Sequence, residues 1–318
     1  MKNAIKILGI ICIIIVAACK KEKHTTYGQP SPTYSTIWDF YNKHEVKKQT
    51  FNVNAVSGGS FTSSNGTIVT IPANAFVTSS GVPVSGFLTV EFKDIYKKSD
   101  MLLSNIPSML TDGRPLKSAG EFFIRVLSGN SPVSLASGKK ITVEQPAVNS
   151  GGDLDSAMIP FVQPLDTNFG GGWTPTIDDS LTWLTTSYVY SLYDYSGTAS
   201  NGTWCNSDNS SYFSAYTQTP LNLIVSNQSE YNQIDVYLIF KNINSCVHVY
   251  PNWLNGGIDF NYDYAPIGLE CTVVAVSAKN GKLHAAFTPI IISANQTISF
   301  SLSEMNENTF LSQLNALN

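Results

Sequence analysis

Short runs that alternate apolar and polar residues at a period of two, each closed by a turn residue, constrain this chain most. Leu88, Val90 and Phe92 alternate with Phe87, Thr89 and Glu91, and Phe122, Ile124 and Val126 alternate with Glu121, Phe123 and Arg125. Successive strand side chains point to opposite faces, whereas a helical face returns about every 3.6 residues, so these runs read as strands. Ile141 and Val143 add another, and Gly58-Gly59, Gly81, Asp112-Gly113 and Gly129-Asn130 punctuate them. Short strands at such spacing indicate a sandwich or barrel. Composition points the same way. The 318 residues include 37 Ser, 26 Thr and 27 Asn. Ser, Thr and Asn compete with the helical backbone for hydrogen bonds, while Thr, Tyr, Val and Ile suit strands.

A second strand-rich block begins near Pro220. Leu221, Leu223 and Val225 share a face; Val236, Leu238 and Phe240 alternate with Tyr237 and Ile239, as in a strand covered on both sides. Cys271 to Ser277 and Ile298, Phe300 and Leu302 continue the pattern. Helical spacing is confined to Ile37, Phe40, Tyr41 and His44 and to Phe310, Leu311, Leu314 and Leu317. Between the blocks, 166–218 carries eleven aromatic residues and no Lys, Arg or Glu. The expectation is an all-β protein of two tandem β-sandwich domains, 36–165 and 219–318, joined by an aromatic-rich connecting region, 166–218, and closed by a short C-terminal helix.

The first nineteen residues carry an address. Lys2 and Lys6 precede an unbroken apolar run from Ile7 to Val16, then Val16-Ala17-Ala18-Cys19. The run is too short to span a bilayer as a helix, which needs about 20 apolar residues, and has the form of a secretory signal. With a cysteine at the cut it resembles a bacterial lipoprotein lipobox. That resemblance implies removal of 1–18, lipid attachment at Cys19, a tether over 19–35, and a protein held at the membrane through its lipid.

Lipidation of Cys19 and loss of Cys12 leave Cys205, Cys246 and Cys271, an odd count that allows at most one disulfide. Cys246 and Cys271, which both open strand-like runs, are the pair to test. Cys246, His248, Cys271 and His284 could alternatively bind zinc, but their spacing fits no standard zinc module. Asp259, Asn261, Asp263 and Glu270 follow a calcium-loop spacing, yet Tyr264 stands where that loop needs glycine. An edge strand with a polar face explains the same letters. From Ile141 to Phe240 there are ten acids and no Lys or Arg. Either these acids form a solvated surface, or Asp153, Asp155, Asp166, Asp178 and Asp179 supply oxygens to calcium. The formal charge of −4 argues against a nucleic-acid partner.

Enzyme signatures are missing: there is no G-x-S-x-G, C-x-x-C, P-loop or G-x-G-x-x-G. His44-Glu45 lacks the second histidine of a zinc-protease helix and reads as a solvated helix end. Trp173, Trp183 and Trp204 fit two readings: an exposed platform on which a glycan stacks, or packing inside the fold.

Gly66-Thr67, Ile71 to Phe76 and the Gly81–Pro83 turn resemble the β-sandwich module of ankyrins and netrin receptors. Asp100-Met101-Leu102-Leu103-Ser104-Asn105-Ile106-Pro107, Ser118-Ala119-Gly120-Glu121-Phe122 and Trp204-Cys205-Asn206-Ser207-Asp208 resemble a group of Bacteroidota envelope lipoproteins of unknown function. Asn74 and Ala119 depart from it, since glycine is common at both places in that group. The resemblance implies a lipid-anchored envelope protein at the outer membrane, with its periplasmic or surface face left open, and carries over no catalytic residue. The function expected is a non-enzymatic surface interaction or structural module; the alternative is a glycan-binding lipoprotein for polysaccharide capture.

Overall fold

The computed structural model describes residues 33–163, 172–193, 195, 202–251 and 259–318. Cys19, the signal and most of the tether lie outside them. Within the described residues the alternating runs become strands as expected. Phe87–Ile95 pairs antiparallel with Gln49–Asn54 on one side and Lys117–Ser128 on the other. That sheet continues through Thr203–Asn209, Ile159–Val162 and Thr174–Pro175. A second sheet runs Ser180–Trp183, Ser187–Leu192, Ile141–Pro146, Ile68–Ile71 and Gly59–Thr62.

The two sheets face each other through one core. Leu88, Val90, Phe92, Phe122, Ile124 and Val126 meet Val69, Ile71, Val143, Tyr190 and Leu192 there. Each buried aliphatic or aromatic side chain contributes about 1.5–3 kcal/mol relative to exposure. On the other face Glu91 pairs with Lys48 at 2.9 Å and with Arg125 at 2.8 Å. Asn74 adopts φ +50; asparagine tolerates this left-handed region better than most residues.

The C-terminal half contains two more sheets. Gln218–Val225 lies between Phe260–Pro266, antiparallel, and Gln296–Phe300, parallel. The other follows the order Cys246–Val249, Asp235–Phe240, Glu270–Lys279, Lys282–Ile291 and Ser303–Glu304. Asp235–Phe240 is buried along its whole length. Val236, Leu238 and Phe240 face the core shared with Leu221 and Leu223, while Tyr237 and Ile239 face the opposite way.

That opposite face packs into a third core, assembled from both halves of the chain. Three helices enter it: α1, Ile37–His44, through Ile37, Phe40 and Tyr41; α2, Lys98–Leu103, through Met101, Leu102 and Leu103; and α3, Glu307–Asn315, through Phe310 and Leu314. Ile95, Leu116, Phe161 and Trp173 complete it from the N-terminal sheets' side. Polar bonds cross the same seam. Tyr41 donates to Asp235 at 2.9 Å, Ser108 N–H to the Cys246 carbonyl at 2.8 Å, and Ser118 N–H to the Asn244 carbonyl at 2.9 Å. Thr33–Asn318 cluster as one compact unit.

Two expectations change. The stretch expected as a connecting region supplies Thr174–Pro175, Ser180–Trp183, Ser187–Leu192 and Thr203–Asn209 to the first two sheets. Thr203–Asn209 escapes a period-two reading because its buried positions are polar: Asn206, Ser207 and Asp208 are each fully buried. His44-Glu45 is also more than a solvated helix end. His44 Nε2 lies 2.9 Å from Glu307, which Lys43 and Tyr34 also contact, and Glu45 pairs with Lys93 at 2.7 Å. The end of α1 is thereby tied to α3. No helix among the described residues is long and apolar enough to cross a membrane.

Candidate functional site

The three tryptophans do not share one exposed surface. Trp173 is fully buried, and its indole N–H donates to the Pro107 carbonyl at 2.9 Å. It therefore offers no ring face to a glycan, which corrects its assignment as a contact. Trp204 is half-buried, 5.4 Å from Phe123, with the Lys93 ammonium 5.7 Å over its ring. Trp183 alone remains widely open, at 48% exposure, on the edge strand Ser180–Trp183. Leu184 and Tyr193 are also exposed in this part of the chain.

Strand pairing separates the cysteines. Cys246 stands opposite Ile239 and Cys271 opposite Phe240, on the two strands that flank Asp235–Phe240. Cys246 enters the shared seam core and Cys271 the core beneath the other face, so they project from opposite sides of the sheet. Both are free thiols, and the disulfide is corrected accordingly. The same geometry pulls the zinc set apart. Burial pushes the Cys271 thiol up to about 12, so it holds its proton at neutral pH.

The calcium-loop spacing resolves into strand Phe260–Pro266, at a sheet edge. Phe260 and Tyr262 are buried and Asn261 and Asp263 exposed. Among the acids of the uncompensated segment, Asp155 pairs with Lys117 at 2.9 Å, and Glu230 with Lys279 at 2.6 Å. Asp179 is buried and accepts from the Tyr190 hydroxyl and the Tyr193 N–H, both at 2.8 Å. Asp166 lies outside the described residues. Among the described residues no three His, Cys, Asp or Glu gather in a metal-binding group. Of the calcium set, Asp155 is thus held by Lys117 and Asp179 by local hydrogen bonds.

What does come together is the set of motifs themselves. Ser118 to Phe122 lies on strand Lys117–Ser128, and Trp204 to Asp208 on its neighbour Thr203–Asn209. The register sets Asn206 opposite Glu121 and Asp208 opposite Ser118, with a bulge-like shift between. Ser118 Oγ donates to Asn206 Oδ1 at 3.0 Å, and Asn206 Nδ2 donates to Asp208 Oδ2 at 2.6 Å. Glu121 and Asp208 are fully buried. Among the described residues both Glu121 oxygens and Asp208 Oδ1 lack a hydrogen-bond partner. Burial pushes both carboxyls well above the ordinary range, and Asp208 pushes Glu121 further. An ionised carboxylate without a partner in an apolar core is far costlier than its neutral acid, so burial favours the protonated form of both.

A second buried network lies beside this knot. Gln145 Nε2 donates to the Gly120 carbonyl at 2.9 Å, and Ser207 Oγ to Gln145 Oε1 at 2.8 Å. Gly120 has φ +128, and a Cβ there would stand 2.5 Å from the Tyr96 ring. Only glycine fits both the backbone angle and the space. The Asp100–Pro107 motif joins from α2 and the turn after it. Asn105, at φ +51, accepts from Tyr237 at 2.9 Å, and Pro107 accepts from Trp173.

No family model, curated protein or solved structure matches the chain. Its chemistry therefore has to be read from its own geometry. Glu121, Asp208 and Cys246 are each fully buried, out of reach of a soluble substrate. Burial, and then Glu121, push the Cys246 thiol up, away from the thiolate a nucleophile needs. The Ser118–Asn206–Asp208 hydrogen bonds link the two strands in the interior. Sequence reading quoted Glu121 and Asp208 without pairing them. The available signal was an acid, Glu121, directly before the apolar run that starts at Phe122.

Proposed function

We propose that this chain is a lipid-anchored envelope protein without enzymatic activity, serving as an interaction or structural module. The observation that carries the reading is the pairing of Ser118–Phe122 with Trp204–Asp208. The sharpest motifs of the sequence are spent inside the fold, on a seam where strands and helices from both halves meet. Those residues then serve architecture, and the surface is left to engage partners. The matching architecture is two β-sandwiches in tandem that share this seam. Anchoring rests on the Lys2–Cys19 signal, whose thiol is the acyl acceptor. Cys19→Ala is expected to abolish labelling by a clickable fatty acid and leave the precursor uncut. Equal labelling of the variant would sink the anchor.

A glycan-binding reading keeps one supporting observation, the exposed ring of Trp183 on the edge strand Ser180–Trp183. Sugars stack their apolar C–H faces on such rings. On a glycan array the protein would then show a saturable signal that Trp183→Ala removes. A signal that survives the substitution would place any glycan elsewhere.

A further inference from the structure

Lys98, at the start of α2, is 5% exposed, and its ammonium donates to the Phe240 carbonyl at 2.7 Å. A lysine ammonium has three donors, and this one meets a single neutral acceptor. Among the described residues no carboxylate lies within ion-pair distance of it. Burial accordingly holds its pKa below the ordinary lysine value. A buried cation costs free energy unless it is paired.

Lys98 lines a cleft of about 210 Å³ together with Lys97, Asn149, Ser150, Asn242 and Asn244, and no aspartate or glutamate side chain borders it. The volume equals roughly seven liquid waters, the room of one monosaccharide. The amides are oriented by the protein. Asn244 Nδ2 donates to the Tyr96 and Ser118 carbonyls, both at 2.9 Å, and Asn149 Nδ2 donates to the Asn65 carbonyl at 2.7 Å. With those N–H groups engaged, each side chain has its carbonyl oxygen left as an acceptor. A cation beside fixed acceptors calls for a molecule with one negative group and several hydroxyl donors. A divalent cation is disfavoured by the ammonium, while Tyr96 and Ile243, which also line the cleft, can meet the apolar C–H face of a sugar-like ring.

We propose that this cleft binds a small hydroxylated carboxylate of monosaccharide size, its carboxylate on Lys98 and its hydroxyls on the asparagine carbonyls. The site is separate from Trp183 and does not depend on the glycan reading there.

The test is calorimetric titration of the mature protein with D-glucuronate, D-glucose and acetate at matched ionic strength. Saturable glucuronate binding is expected, with glucose and acetate each weaker by about tenfold or more, the scale of one hydrogen bond to a charged group. Lys98→Met should weaken glucuronate by a similar factor. Should Lys98→Met fail to fold, Asn242→Gly supplies the test: Asn242 is exposed with φ +58, which glycine adopts freely. It removes one amide, keeps the turn, and should also weaken binding. Absence of saturable glucuronate binding overturns the proposal. So does undiminished binding by a folded Lys98→Met or Asn242→Gly. Glucose as tight as glucuronate overturns the role of the lysine, and acetate as tight overturns the role of the hydroxyls.

Discussion

Replacing Trp173 by alanine is expected to lower the unfolding free energy by about 3–5 kcal/mol, the range for removing a large buried aromatic side chain. Trp173 is fully buried in the seam core beside Phe161 and Leu110, and its backbone N–H also bonds the Met109 carbonyl at 2.8 Å. Alanine would leave a cavity where N-terminal strands meet the helices, and would strip the Pro107 carbonyl of its indole donor. Trp173→Phe separates the two contributions. It restores most of the apolar area but not the donor, and should cost about 0.5–1.5 kcal/mol, the net contribution of one hydrogen bond, since the Pro107 carbonyl keeps the Met109 N–H at 3.2 Å. Urea unfolding monitored by circular dichroism measures both. A Trp173→Ala protein as stable as the parent would mean that the ring is not packed as described. The result also bears on function, since an exposed sugar platform at this position predicts lost binding with stability kept.

Strands with one clean apolar face were legible from the letters. Leu88, Val90 and Phe92 and the doubly covered Val236–Phe240 run behave as their alternation requires, because burial and period two coincide there. The first and last helices among the described residues were legible too, with Ile37, Phe40 and Tyr41 and Phe310 and Leu314 buried along helical stripes. What resisted reading was pairing between distant segments. No local pattern shows that Thr203–Asn209 inserts beside Lys117–Ser128, since its inward residues are polar and bond to Ser118 and Gln145 on distant strands.

The candidate site suffered from the same blindness. Aromatic content near Trp173 and Trp204 fits exposure and burial equally, and only the packing partners decide. Spacing likewise set Cys246 near Cys271 in sequence, while the intervening strand Asp235–Phe240 and the opposed faces keep them apart. The ten-acid segment looked uncompensated because charge was counted along the chain. Lys117 and Lys279 reach it from elsewhere in the sequence.

Stability is expected to fall as pH rises from mildly acidic values, and Glu121→Gln should remove part of that fall. Glu121 and Asp208 have ordinary values of 4.5 and 3.8, which the unfolded chain approaches, and burial raises both well above these in the fold. A raised folded-state value means that the native state holds protons the unfolded state has released. The stabilisation is fully present below the unfolded values and is lost as pH climbs toward the folded ones. Each group costs about 1.4 kcal/mol per pH unit across its window. The ionisable groups facing Glu121 are Asp208 and the Cys246 thiol; Ser118 and Asn206 supply neutral dipoles. None of these provides a cation to hold the charge. Glutamine matches the protonated acid in shape and cannot ionise. Glu121→Gln is therefore expected to be close to the parent near pH 5 and increasingly more stable as pH rises toward the folded-state value of Glu121, its stability curve flatter by about 1.4 kcal/mol per pH unit in that window. Asp208→Asn should flatten the curve in the same direction. Chemical denaturation at each pH gives the comparison, and parallel curves for parent and Glu121→Gln would show that Glu121 is ionised, or solvated, in the native protein.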